Sequence, residues 1–88
     1  IISAVIDRLN ISLENFQSKS KKHDIVLARQ LAMYFSKKYT DYSLSAIGKK
    51  CGNKDHSTVI YAIQTIENLI DTDKQIRALA SDIEKNIC

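Results

Sequence analysis

The 88-residue sequence contains no proline and only two glycines, Gly48 and Gly52. Little in it could break a helix from within or build a series of tight turns. The many Ile, Leu, Ala and Lys residues at helical spacing then favour an all-α fold. A chain this short buries one modest core, so residues 1–88 are expected to form a single domain. No apolar run approaches the length of a membrane span, and no signal-peptide pattern opens the chain, which leads to the expectation of a soluble cytoplasmic protein. Because the chain begins at Ile1 rather than methionine, it reads as a fragment of something longer. Two cysteines, Cys51 and Cys88, are too few for a disulfide framework and read as free thiols. With no G-x-x-x-x-G-K-[ST] there is no triphosphate cradle, and Cys51, His56, His23 and Cys88 match no zinc spacing. Neither a metal nor a cofactor is expected of these residues.

Charge is unevenly spread. From Gln17 to Thr58 nine basic residues face three acids, whereas the rest of the chain holds four basic residues against seven acids. A domain polarised in this way presents a positive face suited to a polyanion, although a lysine-rich surface kept only for solubility gives the same count.

The apolar pattern gives six helices and no strand. Ala4, Ile6 and Leu9 mark a short first helix, and Ser12 caps a second that begins Leu13-Glu14-Asn15. Ser18 to His23 has no apolar residue and is expected to be an exposed loop. Ala28, Leu31, Ala32, Phe35 and Tyr39 follow the spacing of one buried stripe, predicting a long helix over about Asp24–Lys38 with Asp24 as its cap. Leu44, Ile47 and Cys51 predict a short helix capped by Ser43 and ended by Gly52-Asn53. From Asp55 a further helix carries Val59, Ile63, Ile66 and Ile70, flanked by Ala62 and Leu69. Thr72 to Gln75 has the form of a capping box before a last helix with Ile76, Leu79, Ala80, Ile83 and Ile87.

Ser43 to Thr65 is the informative segment. A short helix, a polar break with a small residue, and a longer helix with a polar first turn and an aliphatic body make a helix-turn-helix. A recognition helix is built this way, because its first residues enter the major groove while its body packs on the domain. Asp55 can accept from cytosine or adenine amino groups, Ser57 and Thr58 can donate or accept, and His56 offers a donor and a methyl contact. Lys49, Lys50 and Lys54, with the free amides of the helix start, can hold phosphates. The competing account makes Asp55, Ser57 and Thr58 a generous N-cap and nothing more.

Gly52-Asn53-Lys54-Asp55-His56-Ser57-Thr58-Val59 resembles the signature of the DnaA family of bacterial chromosomal replication initiators, in their C-terminal DNA-binding domain. Ala28-Arg29-Gln30-Leu31-Ala32-Met33-Tyr34-Phe35 is similar to the family's P-R-Q-I-A-M-Y-L, and Thr40 to Gly48 to its T-x-x-S-L-x-x-I-G. The three stretches occur in the family's order and spacing, within a similarity running from about Ile1 to Ile70.

The resemblance implies a Trp-repressor-like all-helical domain that binds double-stranded DNA at the DnaA boxes of a replication origin. It implies base contacts from Asp55, His56, Ser57 and Thr58 in the major groove and from Lys21 in the adjacent minor groove, with Lys19 and Lys22 on phosphates. Arg29 and Gln30 match positions at the DNA surface, Arg29 toward a base and Gln30 toward phosphate. Leu44 and Ser45 match a pair that touches thymine methyls and backbone. It further implies that ATP, Mg and the ATPase belong to a separate domain of the full-length protein, which oligomerises on DNA and meets regulatory proteins, while this piece is a monomeric DNA-binding module. The family commonly has arginine at Lys21 and Lys54, proline at Ala28 and Ser45, glycine at Asn53 and an aromatic at Cys51.

Other chemistries fit poorly. Asp55-His56-Ser57 names the residue types of a hydrolase triad, but successive helix positions splay around the axis and cannot form the relay. Tyr34, Tyr39, Tyr42 and Tyr61 do not alternate with the lysines as a single-strand stacking platform would, and Tyr34 and Tyr61 are expected at the core's edge. A helical adaptor that binds protein through its last helices is the alternative from another class.

Overall fold

A computed structural model describes residues 1–87, and they form six helices with no strand among them. These are α1 (Ile2–Leu9), α2 (Leu13–Gln17), α3 (His23–Tyr39), α4 (Leu44–Lys50), α5 (His56–Thr72) and α6 (Lys74–Ile87). Cys88, one of the two expected free thiols, lies outside the described residues.

Helix α3 is the centre of the fold and packs against α1, α2, α4 and α5. The expected stripe of Ala28, Leu31, Ala32 and Phe35 is buried, but so are Ile25, Arg29, Met33 and Ser36, so α3 is enclosed on nearly all sides. Tyr39, counted into the same stripe, instead lies at the exposed end, stacked on Phe35 and hydrogen-bonded to Glu84 of α6. Phe16 of α2, Val5 of α1, Ile47 of α4, Ile66 of α5 and Ile83 of α6 meet around α3 in one continuous cluster. Cys51 is part of that core, where burial pushes its thiol up to about 11.

The helix ends show where local rules held and where packing overrode them. Ser12 and Ser43 cap α2 and α4, their hydroxyls accepting from the Asn15 and Ala46 amides at 3.1 Å each. Asp24 does not cap α3: the helix starts one residue earlier, at His23, and leaves Asp24 in the first turn, where its charge still suits the helix dipole. The expected box at Thr72 shifts by one. Thr72 ends α5 by donating to the Asn68 carbonyl, while Asp73 Oδ1 accepts from the Gln75 and Ile76 amides. Arg77 closes the joint by donating to the Ile70 and Asp71 carbonyls at 2.8 and 2.9 Å, satisfying the end of α5.

Candidate nucleic-acid interface

The connection from α4 to α5 is tight because its sequence supplies the backbone shapes that a sharp turn needs. Gly52 and Asn53 have φ of 93° and 59°, a region open to glycine and tolerated by asparagine. The Lys54 amide then donates back to the Gly48 carbonyl at 2.8 Å. Gly48 sits so close to the returning chain that a Cβ there would lie 2.0 Å from the Lys54 carbonyl oxygen. The absence of a side chain at Gly48 lets the two helices of the motif approach.

Asp55 starts α5. Its Oδ1 accepts from the Thr58 amide at 2.9 Å, and that bond holds the carboxyl below its ordinary pKa. The capping account of Asp55 is therefore realised, and the cap sits on the same exposed turn as His56, Ser57 and Thr58. Burial begins at Val59 and continues at Ala62 and Ile66, so α5 carries an exposed polar tip on a clamped body. Ile63 and Ile70, expected on this stripe, are only partly buried, while Ala62, expected at its flank, is fully buried.

Opposite this tip runs the basic loop between α2 and α3. Ser18 donates to the Asn15 carbonyl and accepts from the Ser20 amide, and Ser20 accepts from the Lys22 amide. Lys19, Lys21 and Lys22 are exposed. The loop is thus exposed at its lysines as expected, while Ser18 and Ser20 are half-buried and His23 belongs to α3.

Lys54 is the meeting point. One cleft of about 290 Å³ is lined by Lys19, Lys21, Gln30, Lys54 and Thr58 together with apolar Val26 and Met33. A second recess shares Lys54 and is lined by Ser45, Lys49, Asn53, Asp55 and His56. Residues scattered from position 19 to position 58 are brought onto one surface. Leu44 is half-buried against the core beside exposed Ser45. Lys50 lies to the side, its Nζ 4.0 Å from the centre of the Tyr42 ring, a cation–π contact made by one of the expected phosphate ligands.

Two residues differ from expectation. Tyr61, expected at the core's edge, is 66% exposed. It follows Ser57 and Thr58 by four and three positions and so shares their face and the cleft; that spacing was the available signal. Arg29, expected to reach a base, is 4% exposed. Its Nε donates to the Phe16 carbonyl and its Nη1 to the Ser20 carbonyl, each at 2.7 Å, while Nη2 donates to the Asn15 and Ser18 carbonyls. In this conformation the guanidinium is spent on the chain's own backbone, and burial draws its pKa down from the usual arginine value. Tyr34 does lie half-buried at the core's edge, edge-on to Phe35.

Among the described residues there is no group of three or more His, Cys, Asp or Glu side chains able to hold a metal ion, and no helix is long and apolar enough to cross a membrane.

Comparison with known proteins gives a consistent result. The family described as "Bacterial dnaA protein helix-turn-helix" matches residues 1–66, which include the basic loop, α4 and α5 as far as Ile66. The chain is 46% identical over 87 residues to the chromosomal replication initiator protein DnaA of Flavobacterium psychrophilum, covering 99% of this chain and 18% of that protein. The proteins of the same name from Bacteroides thetaiotaomicron and Gloeobacter violaceus are 42% and 47% identical over 84 and 79 residues, covering 96% and 90% of this chain and 18% of each. The chain thus spans less than a fifth of the length of these relatives.

Proposed function

The chain belongs to the bacterial DnaA helix-turn-helix family, and we propose that it is a sequence-specific duplex-DNA module that binds DnaA boxes at a bacterial replication origin. In this reading Asp55, His56, Ser57 and Thr58 read base edges in the major groove, with Leu44 and Ser45 on thymine methyls and backbone beside them. Lys21 leads the basic loop into the neighbouring minor groove, and Lys19, Lys22, Gln30, Lys49, Lys50 and Lys54 take phosphates. The DNA chemistry is confined to this surface; ATP hydrolysis, assembly on the origin and regulatory contacts belong to the whole protein.

The observation that carries the reading is the convergence on Lys54. A polar helix tip, a basic loop distant in sequence and Lys49 of α4 share one exposed surface. A core helix with a generous cap does not require a lysine loop opposite it.

Fluorescence anisotropy with a labelled DnaA box and a scrambled duplex of equal length tests the proposal. The box should bind roughly 10³-fold more tightly at physiological salt. Phosphate contacts from Lys19, Lys22, Lys49, Lys50 and Lys54 should give a slope of log K against log salt of about −4 to −5. Equal affinity for the two duplexes would overturn the proposal.

A further inference from the structure

Arg29 is the one buried charged side chain among the described residues. A cation removed from water persists only where the surroundings replace its hydration, and here four carbonyl oxygens do so. Two of them, of Asn15 and Phe16, close the last turn of α2, and two, of Ser18 and Ser20, belong to the basic loop. The planar fork of arginine spans all four, where the compact ammonium of lysine would engage only part of the set.

The other side of the same side chain borders the helix-turn-helix. A Cβ at Gly52 would lie 3.4 Å from Arg29 Nε and 3.7 Å from Arg29 Cδ, so the arginine stem runs alongside the turn with room for one side-chain atom between them. Lys54, two residues on, shares a cleft with Arg29 and the loop lysines. One residue of the central helix therefore bonds to one element proposed to read DNA and lies beside the other.

We propose that Arg29 is a positioning residue that holds the basic loop and the helix-turn-helix turn in a fixed relation, so that minor-groove and major-groove reading are coupled through it rather than through a contact of its own with DNA. This rests on the DNA-binding reading above. Its consequence is that sequence preference at base pairs read by the loop depends on a residue that touches none of them.

The test uses Arg29→Lys, which keeps the charge, and Gly52→Ala, which leaves Arg29 in place but strains the turn beside it, where Gly52 has a φ of 93°. Amide exchange and nitrogen relaxation of residues 18–22 in the DNA-free domain are the first readout. Arg29→Lys should raise loop amide exchange at least tenfold while core amides such as Phe35 and Ile66 stay protected. Gly52→Ala should move the same loop amides. The second readout is affinity for boxes carrying single-base changes: Arg29→Lys should lose about tenfold of the preference at loop-read pairs while the salt slope stays within about half a unit of the parent's. If the loop amides do not change in Arg29→Lys, or the effect of Gly52→Ala stops at the turn, the coupling is wrong. A salt slope shallower by about one with an ordered loop would show instead that Arg29 contacts DNA itself. Should the parent chain bind box and scrambled DNA alike, the DNA-binding reading fails and the proposed coupling of groove reading fails with it, whereas the loop amides report separately on whether Arg29 orders the loop.

Discussion

The basic loop at residues 18–22 and the turn at residues 51–55 both bring lysines to the same surface, and they are ordered by opposite means. The turn is held from within a short span: Gly52 and Asn53 take positive φ, Lys54 bonds back to Gly48, and Asp55 caps the helix that follows. The loop has two serine turns and the bonds of Ser18 to the Asn15 carbonyl, and beyond these it depends on a side chain from the middle of another helix. A self-sufficient turn is stiff wherever it sits. A loop with borrowed order has a conformation that can change without any change in its own residues.

The contrast can be broken most forcefully at Gly48. Gly48→Ala places a methyl 2.0 Å from the Lys54 carbonyl and forces α4 away from the turn, so urea denaturation should show a loss of about 3 kcal/mol. A loss well below 1 kcal/mol would mean that the turn is held no more tightly than the loop.

Asp55 sharpens the comparison by separating fold from recognition. Asp55→Ala should cost about 1 kcal/mol of stability through the lost cap, whereas Asp55→Asn should keep the cap within a few tenths. Both should cost roughly 1–3 kcal/mol of preference for the cognate box if the carboxylate reads a base. An asparagine variant with full preference would leave Asp55 a cap only.

Smaller effects are expected of the lysines, which serve either element in the same way. Lys22→Ala on the loop and Lys50→Ala on α4 should each weaken box and scrambled duplexes alike and make the salt slope shallower by about one. A change in base preference from either would contradict their assignment to phosphates.

The smallest effect is the dependence on acid. Asp55 and Glu84 both have folded pKa values below their ordinary ones, Asp55 chiefly through the Thr58 amide and Glu84 chiefly through Lys38. The unfolded chain therefore binds these protons more readily, so their contribution to stability is complete above the usual carboxylate range and disappears as pH falls through the folded values. Thermal midpoints should be flat from neutral pH to about 5 and decline below 4, with Asp55→Asn losing its part of that decline. A decline unchanged in Asp55→Asn would show that the turn's cap has no share in it.

What could be read without coordinates follows the same division. The six helices, the serine caps at Ser12 and Ser43, and the positive-φ pair Gly52-Asn53 depend on neighbours within a few residues, and the sequence pattern displayed them. Arg29 was legible as a residue of consequence but not in its orientation, because its partners are backbone carbonyls 9 to 14 positions away, whose identity no side-chain pattern signals. Tyr61 was misplaced because an aromatic in an aliphatic helix suggests the core, and only its distance from Thr58 pointed outward. The start of α3 and the cap of α6 moved by one residue, the usual range over which packing settles helix ends.

The polar tip of α5 has a consequence for how association would be driven. The helix runs about 25 Å from His56 to Thr72, and its first fully buried residue, Val59, comes within one turn of the tip. The tip is the end of a beam clamped along most of its length, and little backbone disorder remains there to be lost when a groove closes around it. The ordering entropy of binding would then fall on the exposed lysine chains, whose heads can stay mobile along a row of phosphates.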